Sequence, residues 1–119
     1  MSILIVEDSE LVRRLMTKLC EAMGFSVKTA NDGSEALQLA KQEFFEVILM
    51  DIVMPGLDGL ECTRSIRALE LYQQRRPRIV GISATASAQE CLENGMDAFI
   101  PKPATHELLR SAILGDMQL

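Results

Sequence analysis

Val47-Ile48-Leu49-Met50-Asp51 is a run of four apolar residues stopped by one acid. Four residues are too few for a helix, and none of them is polar, so the run reads as a strand buried on both faces that delivers a carboxylate at its end. Similar runs recur on either side. Ile3-Leu4-Ile5-Val6 is followed by Glu7-Asp8, Ile79 to Ile82 is followed by Ser83, and Ala98 to Ile100 lies just before Lys102. Phe25 to Ala30 is partly polar and reads as an edge strand. Amphipathic stretches fill the intervals. Ser9 can cap a helix in which Val12, Leu15, Met16 and Leu19 share a face, with Gly24 as its stop. Asn31-Asp32-Gly33 makes a turn into a short helix using Ala36, Leu37 and Ala40. A helix runs from Asp58 to about Leu71 and is closed before Pro77. Ser87-x-x-Glu90 has capping-box spacing and opens a helix that ends at Gly95; Pro103 precedes a last helix with Leu108, Leu109, Ala112 and Ile113 on one face. Strict alternation of strand and helix predicts an α/β domain: a doubly wound, five-stranded parallel sheet with five helices.

The bulk composition fits one such domain over residues 1–119. Apolar residues make up 48% of the chain and charged residues 24%, as in an ordinary globular protein. The longest apolar runs, such as Val47 to Met50, are far too short to span a bilayer, so membrane insertion is not expected. A formal net charge of −5 argues against direct nucleic-acid binding, and the basic cluster Arg75, Arg76 and Arg78 reads as a solvated loop. Cys20, Cys62 and Cys91 are widely spaced and suit buried helix positions in a reducing compartment; His106 has no second histidine with which to share a metal. The start, Met1-Ser2-Ile3-Leu4, lacks a basic segment and a long apolar stretch, so a cytoplasmic setting is expected.

In doubly wound sheets ligands bind beyond the carboxyl ends of the strands. Glu7, Asp8, Asp51, Ser83 and Lys102 all fall there. Three carboxylates at ~6 Å and an effective dielectric of about 20 repel by roughly 3 kcal/mol per pair, which calls for a cation. An all-oxygen set suits a hard ion such as Mg²⁺, while the cysteines and the histidine offer zinc nothing at this edge. A metal with open positions and Lys102 can both hold phosphate oxygens, and Ser83 can donate a hydrogen bond. Taken singly, each residue has a plainer explanation: Asp8 or Ser9 as a helix cap, Asp51 as a cap for the turn before Pro55, Lys102 as a solvated surface charge. Five such residues at four strand ends together point to a phosphoryl group carried on a carboxylate.

Glu7-Asp8, Asp51-x-x-Met54-Pro55-x-x-Asp58-Gly59, Ser83-Ala84 and Lys102-Pro103 resemble, in order and over the whole chain, the receiver domains of two-component response regulators. The resemblance implies a flavodoxin-like strand order 2-1-3-4-5 and a phosphorelay role. Asp51 would accept the phosphoryl group from a histidine kinase or a histidine phosphotransfer protein. Asp8 and Asp51 would bind Mg²⁺ directly, Glu7 largely through water, and the Val53 carbonyl would add a ligand. Lys102 and Ser83 would hold the phosphoryl oxygens, and the Lys102–Pro103 bond would be cis. Phe99 would be the switch aromatic, acting with Ser83 to reshape the surface of helix 4, strand 5 and helix 5 (in a five-helix count) that a downstream protein target reads. Two features depart from the commonest pattern: serine replaces threonine, and phenylalanine leaves the switch without a hydroxyl. The long basic segment Ala68 to Arg78 is similar to that of receivers attached to hybrid histidine kinases.

The rival enzyme reading is a haloacid-dehalogenase-type phosphatase, which needs a second aspartate two residues beyond the first. That position is Val53, which cannot transfer a proton. A binding-only pseudo-receiver is disfavoured because all five site residues are present. As an isolated domain the chain is therefore expected to catalyse only its own phosphorylation and dephosphorylation. With no effector segment after Leu119, it is expected to be a stand-alone regulator or a receiver excised from a hybrid kinase, which would itself be a kinase and would pass phosphate onward.

Overall fold

The computed structural model describes residues 1–115; the last four residues of the expected 1–119 domain lie outside the described part. The chain runs β1 (Ser2–Val6), α1 (Glu10–Ala22), β2 (Ser26–Ala30), α2 (Gly33–Gln42), β3 (Val47–Asp51), α3 (Gly59–Ala68), α4 (Glu70–Gln74), β4 (Arg78–Ser83), α5 (Ala88–Glu93), β5 (Ala98–Pro101) and α6 (His106–Leu114). All strand pairings are parallel, in the order β2-β1-β3-β4-β5, so the polar strand β2 is indeed an edge.

Strand alternation divides the core in two. Leu4, Val6, Ile48 and Met50 face a cluster with Phe45, Cys62, Ile66 and Met96, while Ile3, Ile5, Leu49 and Ile82 face one with Met16, Cys20, Leu109 and Ile113. Each buried aliphatic side chain contributes about 1.5–3 kcal/mol, which is why the interiors of the central strands are apolar and their polar residues, Ser2, Arg78, Asp51 and Ser83, fall at the ends. The caps read from sequence are present: Ser9 Oγ accepts from the Val12 N–H, and Ser87 and Glu90 form a reciprocal capping box. All three cysteines are free and buried; burial pushes the Cys62 thiol up to about 12, which disfavours its reactive thiolate. His106 is an exposed first residue of α6. Among the described residues no helix is long and apolar enough to cross a membrane.

Two expectations need correction. The helix expected from Asp58 to about Leu71 is two helices, so the described chain has six rather than five. Leu69 is extended (φ −66°, ψ 136°) and starts the short α4. At about 100° per residue, an unbroken helix would carry Tyr72 some 120° away from the buried face at Ile66. The break instead buries Tyr72, whose hydroxyl accepts from the Phe45 N–H (3.2 Å) and donates to the Glu43 carbonyl (2.9 Å). Its ring lies 5.1 Å from Phe44, and the Arg75 guanidinium sits 4.0 Å over that same Phe44 ring. The surface counted as helix 4, strand 5 and helix 5 is consequently α5, β5 and α6. The second correction concerns α1, whose buried seam is Met16 and Cys20; Leu15, expected inside, is 55% exposed.

Asp97, just before β5, pins the opposite end of the sheet. It accepts from the Ile79 N–H, Arg67 and Arg76, each at 2.8 Å, and Arg67 also donates to the carbonyls of Gly95 and Pro77. Burial alone would raise the Asp97 carboxyl, but the Ile79 N–H and the two guanidiniums outweigh it and hold the group below its ordinary value. Its stabilisation is therefore present above the unfolded-state value and is lost as pH falls through the lowered folded one. Asp97→Ala should cost about 2–3 kcal/mol at pH 7, because it strands the mostly buried Arg67; exposed Arg76 adds little. Urea unfolding of both proteins should show that gap shrinking below about pH 3.9, the ordinary aspartate value. A gap unchanged between pH 7 and pH 3 would count against this assignment.

Candidate functional site

The carboxyl ends of β1, β3, β4 and β5 bring the expected residues together. Carboxylate oxygens of Glu7, Asp8 and Asp51 all lie within 4.8 Å of one another. Asp51 is in register with Ile82, one residue before Ser83, and Ser83 is opposite Pro101, one before Lys102. Lys102 Nζ lies 3.2 Å from Asp51 Oδ1 and 3.5 Å from Glu7 Oε1. The Lys102 backbone N–H donates to the Ser83 carbonyl (3.0 Å), and the Lys102–Pro103 bond is cis as expected. Asp8, Asp51, Val53, Ser83, Ala84, Thr85 and Lys102 line a cleft of about 240 Å³.

The plainer explanations fail for two acids. Ser9, not Asp8, caps α1, so Asp8 is free for the cleft. Asp51 caps nothing: it is 2% exposed, and neither carboxylate oxygen has a hydrogen-bond partner. Buried polar atoms are seldom left so, and the Lys102 ammonium is the main group that offsets burial here. Glu7 is equally buried and accepts from the Ser9 N–H (2.9 Å). Burial, with Asp51 and Asp8 beside it, pushes the Glu7 carboxyl up to about 7 against the pull of that N–H and of Lys102. Burial likewise raises Asp51, partly opposed by Lys102. For Lys102, burial would lower the ammonium, but Asp51 and Glu7 prevail and raise it.

Three carboxylates against one ammonium leave a deficit of positive charge. The unbonded Asp51 oxygens and the all-oxygen donor set fit a hard divalent cation such as Mg²⁺, the kind of ion that keeps open positions for phosphate oxygens.

Ser83, almost wholly buried, accepts through Oγ from the N–H groups of Thr85 and Ala86 (3.0 Å each), and its hydroxyl shares a long contact of 3.5 Å with Thr85 Oγ1. Phe99, on β5, stands apart from the cleft beside Gly81 of β4, half-buried against the core cluster that contains Met96. Sequence reading overlooked Arg13, whose Nη1 donates to the Glu7 carbonyl (3.0 Å) and steadies the acidic turn. Nothing local distinguishes it from Arg14, which only pairs with exposed Glu10.

Residues 3–114 match the response regulator receiver domain family. The chain is 38% identical over 116 residues to sensor histidine kinase RcsC of Salmonella typhimurium, covering 95% of this chain and 12% of that protein. The chain therefore spans only a small part of that curated relative. Chemotaxis response regulator CheY4 of Vibrio cholerae superposes with a TM-score of 0.88 at 29% identity, covering 96% of each chain. The receiver domain of sensor histidine kinase PA1611 from Pseudomonas aeruginosa, solved with a magnesium ion coordinated in its active-site cleft, gives a TM-score of 0.83 at 32% identity, covering 96% and 97%.

Proposed function

The chain belongs to the response regulator receiver domain family, and from that premise we propose that it takes a phosphoryl group from a phosphohistidine donor onto Asp51. The observation that carries this is the Asp51 carboxylate itself, buried in the lining of a small cleft with the Lys102 ammonium 3.2 Å from its Oδ1. Glu7, Asp8 and Asp51 would hold Mg²⁺, with the Val53 carbonyl as a further ligand. When bound, the ion neutralises the acids and binds phosphoryl oxygens. An Asp51 oxygen attacks phosphorus, forming the O–P bond as the P–N bond of the donor breaks and its imidazole leaves with the electron pair. Lys102 holds a phosphoryl oxygen, and Ser83 donates its hydroxyl proton to another. Measuring Mg²⁺ binding tests the metal half of this reading: the wild type should bind Mg²⁺, and Asp8→Asn should bind it more weakly.

The similarity to RcsC over a small part of its length favours a receiver from a hybrid histidine kinase, with residues 1–119 as its unit and a phosphotransfer protein taking the phosphate onward. As a domain, the chain catalyses only its own phosphorylation and dephosphorylation. A docking face adjoins the cleft: Leu11 (79% exposed) and Leu15 stand out from α1, and Val12, Leu15, Met16, Ile82, Pro103 and Ala104 line a cavity of about 340 Å³ beside Lys102. An apolar partner surface seated there would bring its phosphohistidine to Asp51. Leu15→Asp should slow transfer from a protein donor about tenfold or more, as the loss of an interface anchor does, while leaving phosphorylation by acetyl phosphate unchanged. Equal slowing with both donors would show that Leu15 acts on the chemistry and not on docking.

The switch follows from Ser83. Drawn toward the phosphoryl oxygens, its hydroxyl carries the Thr85 and Ala86 amides with it and opens room for Phe99 on the neighbouring strand. The α5–β5–α6 surface then differs between states, with the energy supplied by contacts made in only one of them. Ser83→Ala should keep phosphorylation but lose the gain in target affinity that beryllofluoride gives the wild type. An undiminished gain in the variant would exclude this route.

A further inference from the structure

Two glycines bracket the segment 52–58 that joins β3 to α3, and neither has a positive φ, so backbone conformation does not require glycine at either place. What requires it is space. A Cβ on Gly59 would lie 2.4 Å from the Asp51 carbonyl oxygen and 2.7 Å from Ile52 Cα. A Cβ on Gly33, the first residue of α2, would lie 2.4 Å from the Leu57 carbonyl oxygen and 3.1 Å from Leu57 Cβ. The nearest atoms are backbone, which cannot turn aside as a side chain can. The start of α3 is therefore pressed against the backbone of Asp51, and the start of α2 against the far end of the segment. Between these contacts the Ile52 N–H donates to the Ile82 carbonyl (3.1 Å), and the Gly59 N–H to the Ile52 carbonyl (2.9 Å).

We propose that Gly33 and Gly59 are positioning residues for metal binding: by admitting Leu57 and Asp51 backbone into the space of a missing Cβ, they seat the segment 52–58 so that the Val53 carbonyl and the Asp51 carboxylate serve one cation. This rests on the reading of the acidic cleft as a Mg²⁺ site. Alanine at 59 pushes directly on Asp51 and Ile52. Alanine at 33 pushes on Leu57, four residues from Val53, and acts more mildly.

Calorimetric titration of the full chain with Mg²⁺ alone, beside thermal melts, tests the proposal in wild type, Gly33→Ala, Gly59→Ala and Ala40→Gly. Ala40 is buried in the last turn of α2, so its replacement removes a core methyl and lowers stability without pressing on the segment. Gly59→Ala should weaken Mg²⁺ binding about tenfold or more and Gly33→Ala a few-fold, the scale seen when groups that orient metal ligands are lost. Ala40→Gly should melt lower than wild type yet bind Mg²⁺ equally well. Should Gly59→Ala fail to fold, Gly33→Ala decides alone. Wild-type affinity in Gly33→Ala, or an equal loss in Ala40→Gly, overturns the proposal while leaving the metal site standing. A wild type that does not bind Mg²⁺ overturns both.

Discussion

Asp51→Asn is expected to reduce phosphorylation below detection while leaving the fold intact. Carboxylate and carboxamide are nearly the same size, and the contact that the amide weakens is the ion pair with Lys102, whose ammonium also pairs with Glu7. Burial already raises the Asp51 carboxyl, so removing the charge relieves repulsion with Glu7 and Asp8 and should keep or raise the melting temperature. The amide has no anionic oxygen to attack phosphorus, hence the loss of reaction. Mg²⁺ affinity should fall by on the order of tenfold, since one of the expected direct ligands loses its charge. Labelling with acetyl phosphate, followed over time beside a thermal melt, checks all of this. Labelling at the wild-type rate would move the acceptor to another residue.

Lys102→Met should slow phosphorylation by about 10²–10³, the usual cost of removing one fixed donor to developing negative charge. The ammonium contacts both Asp51 and Glu7, so its removal also deprives the buried acids of their nearest positive partner. That loss has an opposite consequence for the metal. A cation entering the cleft no longer meets a competing charge, so Mg²⁺ affinity should hold or rise. Reduced rate with undiminished Mg²⁺ binding is the signature of a group that acts on the phosphoryl oxygens. If Mg²⁺ binding collapsed in parallel, Lys102 would instead be organising the acids.

Most of the architecture was legible because parallel strands buried on both faces must be wholly apolar, so Ile3–Val6 and Val47–Met50 announce themselves and the acids after them mark one edge. The cluster of Glu7, Asp8, Asp51 and Lys102 followed from topology, since parallel strands put all their carboxyl ends on one side. Caps were legible too, because Ser9 and Ser87 act through bonds three residues away. Properties set by distant packing were not. The break at Leu69 serves Tyr72, whose partners Glu43 and Phe45 lie far away in sequence. Leu15 fitted the apolar stripe of α1, but the stripe is narrow and its centre is Met16 and Cys20. Arg13 grips a carbonyl six residues earlier, a contact that no helical spacing announces. The need for glycine at 33 depends on Leu57 and lies wholly in tertiary approach.

The most direct measurement is to locate the phosphoryl group in the wild-type chain. After incubation with acetyl phosphate, with Mg²⁺ or with a chelator, the aspartyl phosphate is reduced with borohydride and the peptides are sequenced by tandem mass spectrometry. A single modification at Asp51, present with Mg²⁺ and lost with the chelator, is the predicted result. Modification at another residue, or incorporation indifferent to Mg²⁺, would contradict the account.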